Sequence, residues 1–434
     1  MNALELVRTL RALRDDPLAA FSALRERHGS VVRIPLGART FYVVGGAGAA
    51  RRVLCDNARN YSKDTWSYGL LRRVLGAGLL TSETADWRRQ RRLLQPTFHR
   101  SKLPGLADTT LARTDALLER WRTLGAGAEL DVGREMSTLS LEILAHAVLG
   151  IELGRDRDAV LAHLSACLAY IRDRTSRLFD VPEWWPLSHH ARFRAELAAL
   201  DAIVRRIILA RRAAPAAGDL VSTLLAARDE AGHPLGDREV LAQIKTFLLA
   251  GHETTANLLT WMLALLARHP EAARRIEIEV QAVAGSSRLS AEVVSGLPYT
   301  RAVVAEALRL YPPLWLVERR ALAADILDGH AIEPGATVAV SQYLLQRDSA
   351  VFAEPERFMP ERFLRGERPQ GYLPFGAGSR TCIGDAFALL QASTIVARLA
   401  QRGSRLTLTA PELPRPEALV TLRPSAPVTV RLAG

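Results

Sequence analysis

Two short runs near the start of the chain, Ser30 to Pro35 and Thr40 to Val44, alternate apolar and polar residues on either side of Leu36-Gly37-Ala38-Arg39. That alternation with a Gly-containing connection predicts a β-hairpin. From Ala47 to about Tyr311 the period changes. Apolar positions recur three and four residues apart, as in Leu141, Ile143, Leu144, Val148 and again in Leu200, Ile203, Val204, Ile207, Ile208, which predicts a large helical body. After Pro312-Pro313 the chain is punctuated by Gly and Pro. Here the pattern predicts short strands over Ile332 to Val340, an irregular stretch from Phe352 to Phe375, a helix opening at Cys382, and short strands through Arg405 to Leu432. The irregular stretch, roughly twenty residues, is too long for an ordinary connection and points to function. No repeat, low-complexity tract or flexible linker divides the chain. Residues 1–434 therefore read as one domain, mainly α with small β-sheets.

The longest apolar stretch, Thr246 to Ala267, carries Gly251-His252-Glu253-Thr254-Thr255-Ala256-Asn257 in its middle. Ionisable groups at mid-span are costly in lipid, so a buried helix from about Arg238 to Arg268, roughly 45 Å long, is expected there. Met1 to Leu13 includes Glu5, Arg8 and Arg11 and lacks the apolar core of a signal peptide. A cytoplasmic protein without a membrane anchor is the expectation.

Charge changes the picture less than it promises. Lys+Arg number 57 against 46 Asp+Glu, a net charge of +11, which invites a nucleic-acid reading. The basic residues are nearly all Arg, interleaved with acids along the helices, and no aromatic-studded basic strip appears, so nucleic acid is not an expected partner. Lysines occur only at Lys63, Lys102 and Lys245. The denser cluster is Arg88, Arg89, Arg91, Arg92, Arg100 and Lys102, suited to a local acidic partner. Three cysteines, Cys55, Cys167 and Cys382, are too few and too scattered for a disulfide framework or a zinc site.

One of them carries chemistry. In Phe375-Gly376-Ala377-Gly378-Ser379-Arg380-Thr381-Cys382-Ile383-Gly384 a cysteine follows a Gly-rich loop where a helix is expected to open. Backbone N–H groups and the positive end of a helix dipole would lower the thiol pKa there. The thiolate could attack a substrate or bind a metal. No His base lies nearby for the first. For an axial haem ligand, Gly378 and Gly384 would let a flat macrocycle approach the backbone, Phe375 would shield the sulfur and Arg380 could pair with a propionate.

This segment resembles the haem-binding signature of the cytochromes P450, Phe-x-x-Gly-x-Arg-x-Cys-x-Gly, with every fixed position filled. The resemblance implies the P450 fold: an α-rich prism with haem b between a long central helix and the helix after the cysteine loop. It implies a haem-thiolate monooxygenase that activates O2 and hydroxylates a lipophilic small molecule. Cys382 is then the iron ligand, with Phe375, Gly376, Arg380 and Gly384 contacting the cofactor. Glu306-Ala307-Leu308-Arg309 resembles the family's buried ion pair, completed by Arg362 of Pro360-Glu361-Arg362-Phe363 in preference to Arg357 of Pro355-Glu356-Arg357-Phe358. Glu253 and Thr254 resemble the acid and alcohol that relay protons to dioxygen, with Ala250 and Gly251 loosening the helix into a groove beside the haem. The zinc-hydrolase alternative for His252-Glu253 fails because Ala256 stands where a second His is needed. Trp87 and Arg91, four apart on one helix face, and Arg319 are the implied propionate contacts. Gln346 stands where relatives often carry His and puts a contact from that position in doubt.

The resemblance places the substrate pocket at Trp66, Tyr68, Leu70, Leu71 and Val74, around Tyr170 to Trp185, at Ala250, and at Leu314, Trp315 and Val317. These residues suit a terpenoid, fatty acyl or other apolar secondary metabolite. Electrons are expected from NAD(P)H through separate partners, ferredoxin and ferredoxin reductase or a flavodoxin-type donor, docking an acidic face on the Arg88 cluster; a monomer is expected. Oxidative coupling, desaturation or epoxidation would use the same residues, whereas a haem sensor would have no use for Glu253 and Thr254.

Overall fold

The computed structural model describes residues 3–36, 39–175, 184–185, 187–214, 218–228, 232–366 and 368–432. Helices pack around the central helix Asp237–Arg268, which has 32 residues. Asp237 and Glu239 occupy its first turn and Arg268 its last, the arrangement that suits the helix dipole. Leu248, Leu259, Trp261 and Met262 are wholly buried on different sides of it, as a helix enclosed by its neighbours requires. Val132–Leu144 runs against it, and Pro298–Leu310 and Asp385–Gln401 pack on its other flank.

The expected loosening at Ala250-Gly251 does not occur. The helix is continuous α, and the Thr254 and Thr255 hydroxyls donate back to the Ala250 and Gly251 carbonyls at 2.7 and 3.0 Å, so neither hydroxyl is left in need of a partner. A Cβ on Gly251 would meet Leu144 at 2.8 Å. Its small size thus serves helix packing.

The hairpin forms as Val31–Leu36 and Arg39–Val44, with Val31 opposite Val44. Arg39–Val44 pairs in parallel with Thr337–Val340, which pairs antiparallel with Val317–Ala321, and Tyr61–Ser62 closes the five-stranded sheet. The short strands expected over Ile332 to Val340 are two, His330–Ile332 and Thr337–Val340. His330–Ile332 folds back on Asp325–Leu327, and Glu333-Pro334-Gly335 breaks the run. Pro334 has no N–H for a ladder and Gly335 turns at φ +82°, the left-handed region. The last major helix begins at Asp385, three residues later than expected. Cys382 cannot join it, since its N–H is drawn back to the Phe375 carbonyl at 3.0 Å and closes the loop.

Candidate active site

The platform beneath the cysteine loop is a buried ion network. On Pro298–Leu310, Arg309 Nε and Nη2 donate to the two oxygens of Glu306 at 2.7 and 2.8 Å, and both side chains are fully buried. Arg362 Nε reaches Glu306 at 3.1 Å, while Arg357 contributes only a backbone carbonyl to Arg309. Arg309 also binds the Gln346 and Pro355 carbonyls at 2.9 and 2.6 Å. Every donor of the pair is used, which a buried ion pair needs to offset its desolvation. Gln346 points into this network. Its amide donates to the Leu308 and Arg309 carbonyls and accepts from the Leu373 N–H at 3.1 Å, anchoring the start of the cysteine loop.

The loop then turns twice through positive φ, Gly376 at +71° and Gly378 at +69°. A Cβ on Gly378 would lie 2.1 Å from the Leu54 carbonyl, whereas one on Gly376 meets nothing within 4 Å. Gly378 therefore answers at least to the chain at Leu54. Cys382 Sγ accepts the Gly384 N–H at 3.3 Å and faces a deep interior cavity. Burial pushes the thiol pKa up, outweighing the Gly384 N–H and Arg91. The helix that follows starts three residues away, at Asp385. A cation bound at the sulfur is what would favour thiolate here.

Basic side chains form one wall of the same cavity. Arg380 donates to the Ser82 carbonyl at 2.8 Å, pairs with Glu83 at 3.3 Å and lies 4.1 Å over the Trp87 ring; burial brings it down to about 10. From the helix Thr84–Leu94, Arg91 donates to the Thr381 carbonyl at 2.8 Å and, like Trp87, stands behind the cavity lining and not in it. Arg319 is buried while Arg320 turns outward to Asp64. Lys63, which the sequence reading did not select, is buried too. Its ammonium donates to the Leu80 carbonyl at 2.9 Å, and burial, followed by Arg319 and Arg380, pushes its pKa well down. Glu83 is the carboxylate facing these cations. Glu318 nearby is held by the Thr65 and Ser67 hydroxyls at 2.8 and 3.0 Å, and burial raises its pKa toward the neutral acid. Such an excess of buried positive charge calls for an anionic group of more than one charge; two haem propionates fit it.

On the opposite side, Glu253 and Thr254 line the cavity. Glu253 Oε1 accepts the Thr421 hydroxyl at 2.7 Å, and Thr421 accepts Asn257 Nδ2 at 3.0 Å. Its Oε2 is buried without a partner, and burial raises its pKa. His252 turns away to Ser137 at 3.2 Å, and burial lowers it to about 4, so it stays neutral in the packing.

The cavity measures about 1230 Å³. Trp66, Tyr68, Leu71, Ala250, Leu314, Trp315 and Val317 line it, although Trp66 is also 40% exposed. Val74 and Leu70 do not line it. They are buried in the helical core, because the apolar face of Trp66–Leu75 turns inward. Of the segment Tyr170 to Trp185, residues 176–183 lie outside the described residues. Tyr170 stacks on Phe193 at 3.9 Å, and Trp184 and Trp185 are exposed. Phe98 and Phe247, stacked at 5.4 Å, line the cavity and carry no sequence signal distinguishing them from core. Lys63 had one: it is a rare lysine in an arginine-rich chain.

The Cytochrome P450 family profile matches residues 2–429. Cyclooctatin synthase from Streptomyces melanosporofaciens is 35% identical over 416 residues, covering 93% of this chain and 89% of that protein. Cyclooctat-9-en-7-ol 5-monooxygenase from the same organism is 35% identical over 393 residues, covering 88% and 84%. A crystal structure of a six-coordinate cytochrome P450 from Thermus thermophilus superposes with a TM-score of 0.77 at 30% identity, covering 97% of this chain and 99% of that one. With likeness of sequence and of fold running nearly end to end, the chain belongs to the cytochrome P450 family and is a haem-thiolate monooxygenase.

Proposed function

We propose that this monooxygenase hydroxylates a terpenoid, acting as a single-domain, cytoplasmic monomer with separate electron donors. The carrying observation is that one cavity holds the Cys382 sulfur, the cation wall, the Glu253–Thr254 pair and an apolar lining that includes Leu144, Leu249 and Leu258. The names of the two Streptomyces relatives favour this substrate class over a fatty acyl chain. Among the described residues no helix is long and apolar enough to cross a membrane.

Haem, when bound, supplies a thiolate-ligated iron at which dioxygen is activated. Cys382 would hold the iron, with the Gly384 N–H tempering the charge on sulfur. Lys63, Arg91, Arg319 and Arg380 would hold the propionates. Glu253, whose pKa burial raises, would hold a proton at its carboxyl more readily than a solvated glutamate. Thr254, whose hydrogen is committed to the Ala250 carbonyl in this state, can rotate to pass one on. The apolar lining excludes water and orients a C–H bond of the substrate.

For electron delivery, Arg88, Arg92, Arg100 and Lys102 are exposed along one side of the cofactor wall. Arg89 leaves the expected cluster, since it pairs with Glu239 at 2.7 Å. The remaining four suit an acidic ferredoxin.

The test of the assignment is Cys382→Ser. The reduced, carbon-monoxide-treated variant loses the red-shifted Soret band of a thiolate ligand, and a retained band would remove Cys382 from its role. In Thr254→Ala, reductant is consumed with less product; unchanged coupling would refute the relay.

A further inference from the structure

Glu253 stands between two spaces. Behind it lies a second, smaller cavity of about 80 Å³, lined by Ser165, Leu168, Ala169, Arg172, Leu419, Val420 and Arg423. Glu253 and Arg172 line both cavities. Ser165 and Arg423 are exposed, so the small cavity leads from the surface inward. One carboxylate oxygen of Glu253, Oε2, has no hydrogen-bond partner although it is buried. A polar pocket of this size has room for a short chain of waters, and an unpartnered carboxylate oxygen is a site for one to bind.

We infer that the small cavity beside Ser165 and Arg423 is the entry by which solvent protons reach Glu253, and that Thr421 is the positioning residue that aims its carboxyl. This rests on reading Glu253 as the acid of the relay. Thr421 pins Oε1 and is itself pinned by Asn257, which leaves Oε2 as the oxygen free to take a water from the small cavity. Arg172 and Arg423 are the charged groups lining the inlet. Arg423 is tied to Glu417 at 3.1 Å and Arg172 to Asp173 at 3.2 Å, so each cation can orient water while its own charge is balanced outside. Thr421 and Arg423 both act to lower the Glu253 pKa against the effect of burial. They keep a proton donor in the range where it can also release.

The resting full-chain enzyme tests this by infrared spectroscopy, using the carbonyl band of protonated Glu253 identified by its loss in Glu253→Gln. On mixing into D2O, the band's isotope shift is expected to slow several-fold in Ala169→Leu, which plugs the cavity, and in Ser165→Leu at its exposed mouth. Thr421→Val is expected to raise the pH midpoint of the band by about one unit, the worth of one hydrogen bond, with Thr421→Ser restoring it. Arg423→Gln raises it as well. Unaltered exchange in both plugged variants overturns the inlet, and an unmoved midpoint in Thr421→Val overturns the positioning role. If Glu253→Gln turns over with undiminished product per reductant, the relay reading falls instead, whatever the exchange rates show.

Discussion

Lys63 and Glu253 are ionisable side chains held where ionisation is costly, on opposite sides of one cavity, and each is explained by what it would face. Lys63 has no carboxylate to itself and sits among Arg319 and Arg380. Lys63→Met is expected to stabilise the haem-free protein in urea unfolding, because a desolvated charge is removed, and to speed haem loss from the loaded protein to an acceptor apoprotein. A slower haem loss would overturn its place in the cation wall. Glu253 has its folded pKa raised above the unfolded value. Between those two values the folded state binds the extra proton, so stability falls as pH rises through that window and stays lower above it. Glu253→Gln should abolish that fall and stabilise the fold above that window, by about 1.4 kcal/mol for each unit of pKa elevation; melting curves across pH measure it. Neither residue announces its burial in sequence. Glu253 was legible through the motif around it, whereas Lys63 stood outside any motif.

At the scale of elements, periodicity is what made the helices and the hairpin readable. The central helix differs from expectation by one residue at its start, because its apolar run is long and its termini carry suitable charges. The loops were less readable. That the cysteine segment would be a loop was evident from its glycines, but which glycine answers to which neighbour was not. Gly376→Ala is expected to cost about 1–2 kcal/mol for a left-handed alanine. Gly378→Ala adds a collision with the Leu54 carbonyl and should be distinctly worse, with urea unfolding of the haem-free variants giving the order. Equal costs would mean that the Leu54 contact yields freely. The same dependence on distant neighbours explains Gln346, which ties Leu308 and Arg309 to Leu373.

At the scale of the whole molecule, the +11 charge divides among buried, paired and exposed cations. The exposed Arg88, Arg92, Arg100 and Lys102 should make reduction by an acidic ferredoxin slow with rising salt, because screening weakens steering. Arg92→Glu should lower the rate at low salt and flatten that dependence, as followed by stopped-flow; a salt-independent rate would dismiss this face. Sequence alone determined the helical class, the cysteine-bearing loop and the adjacency of Glu253 and Thr254, because these depend on local periodicity and on residues fixed close together in the chain. Only the tertiary structure decided which arginine completes the Glu306 network, that Lys63 joins the cation wall, that Val74 is core, and that Thr421 meets Glu253. Those facts depend on contacts between segments far apart in sequence, and burial, which sets both packing and proton affinity, exists only once those segments have come together.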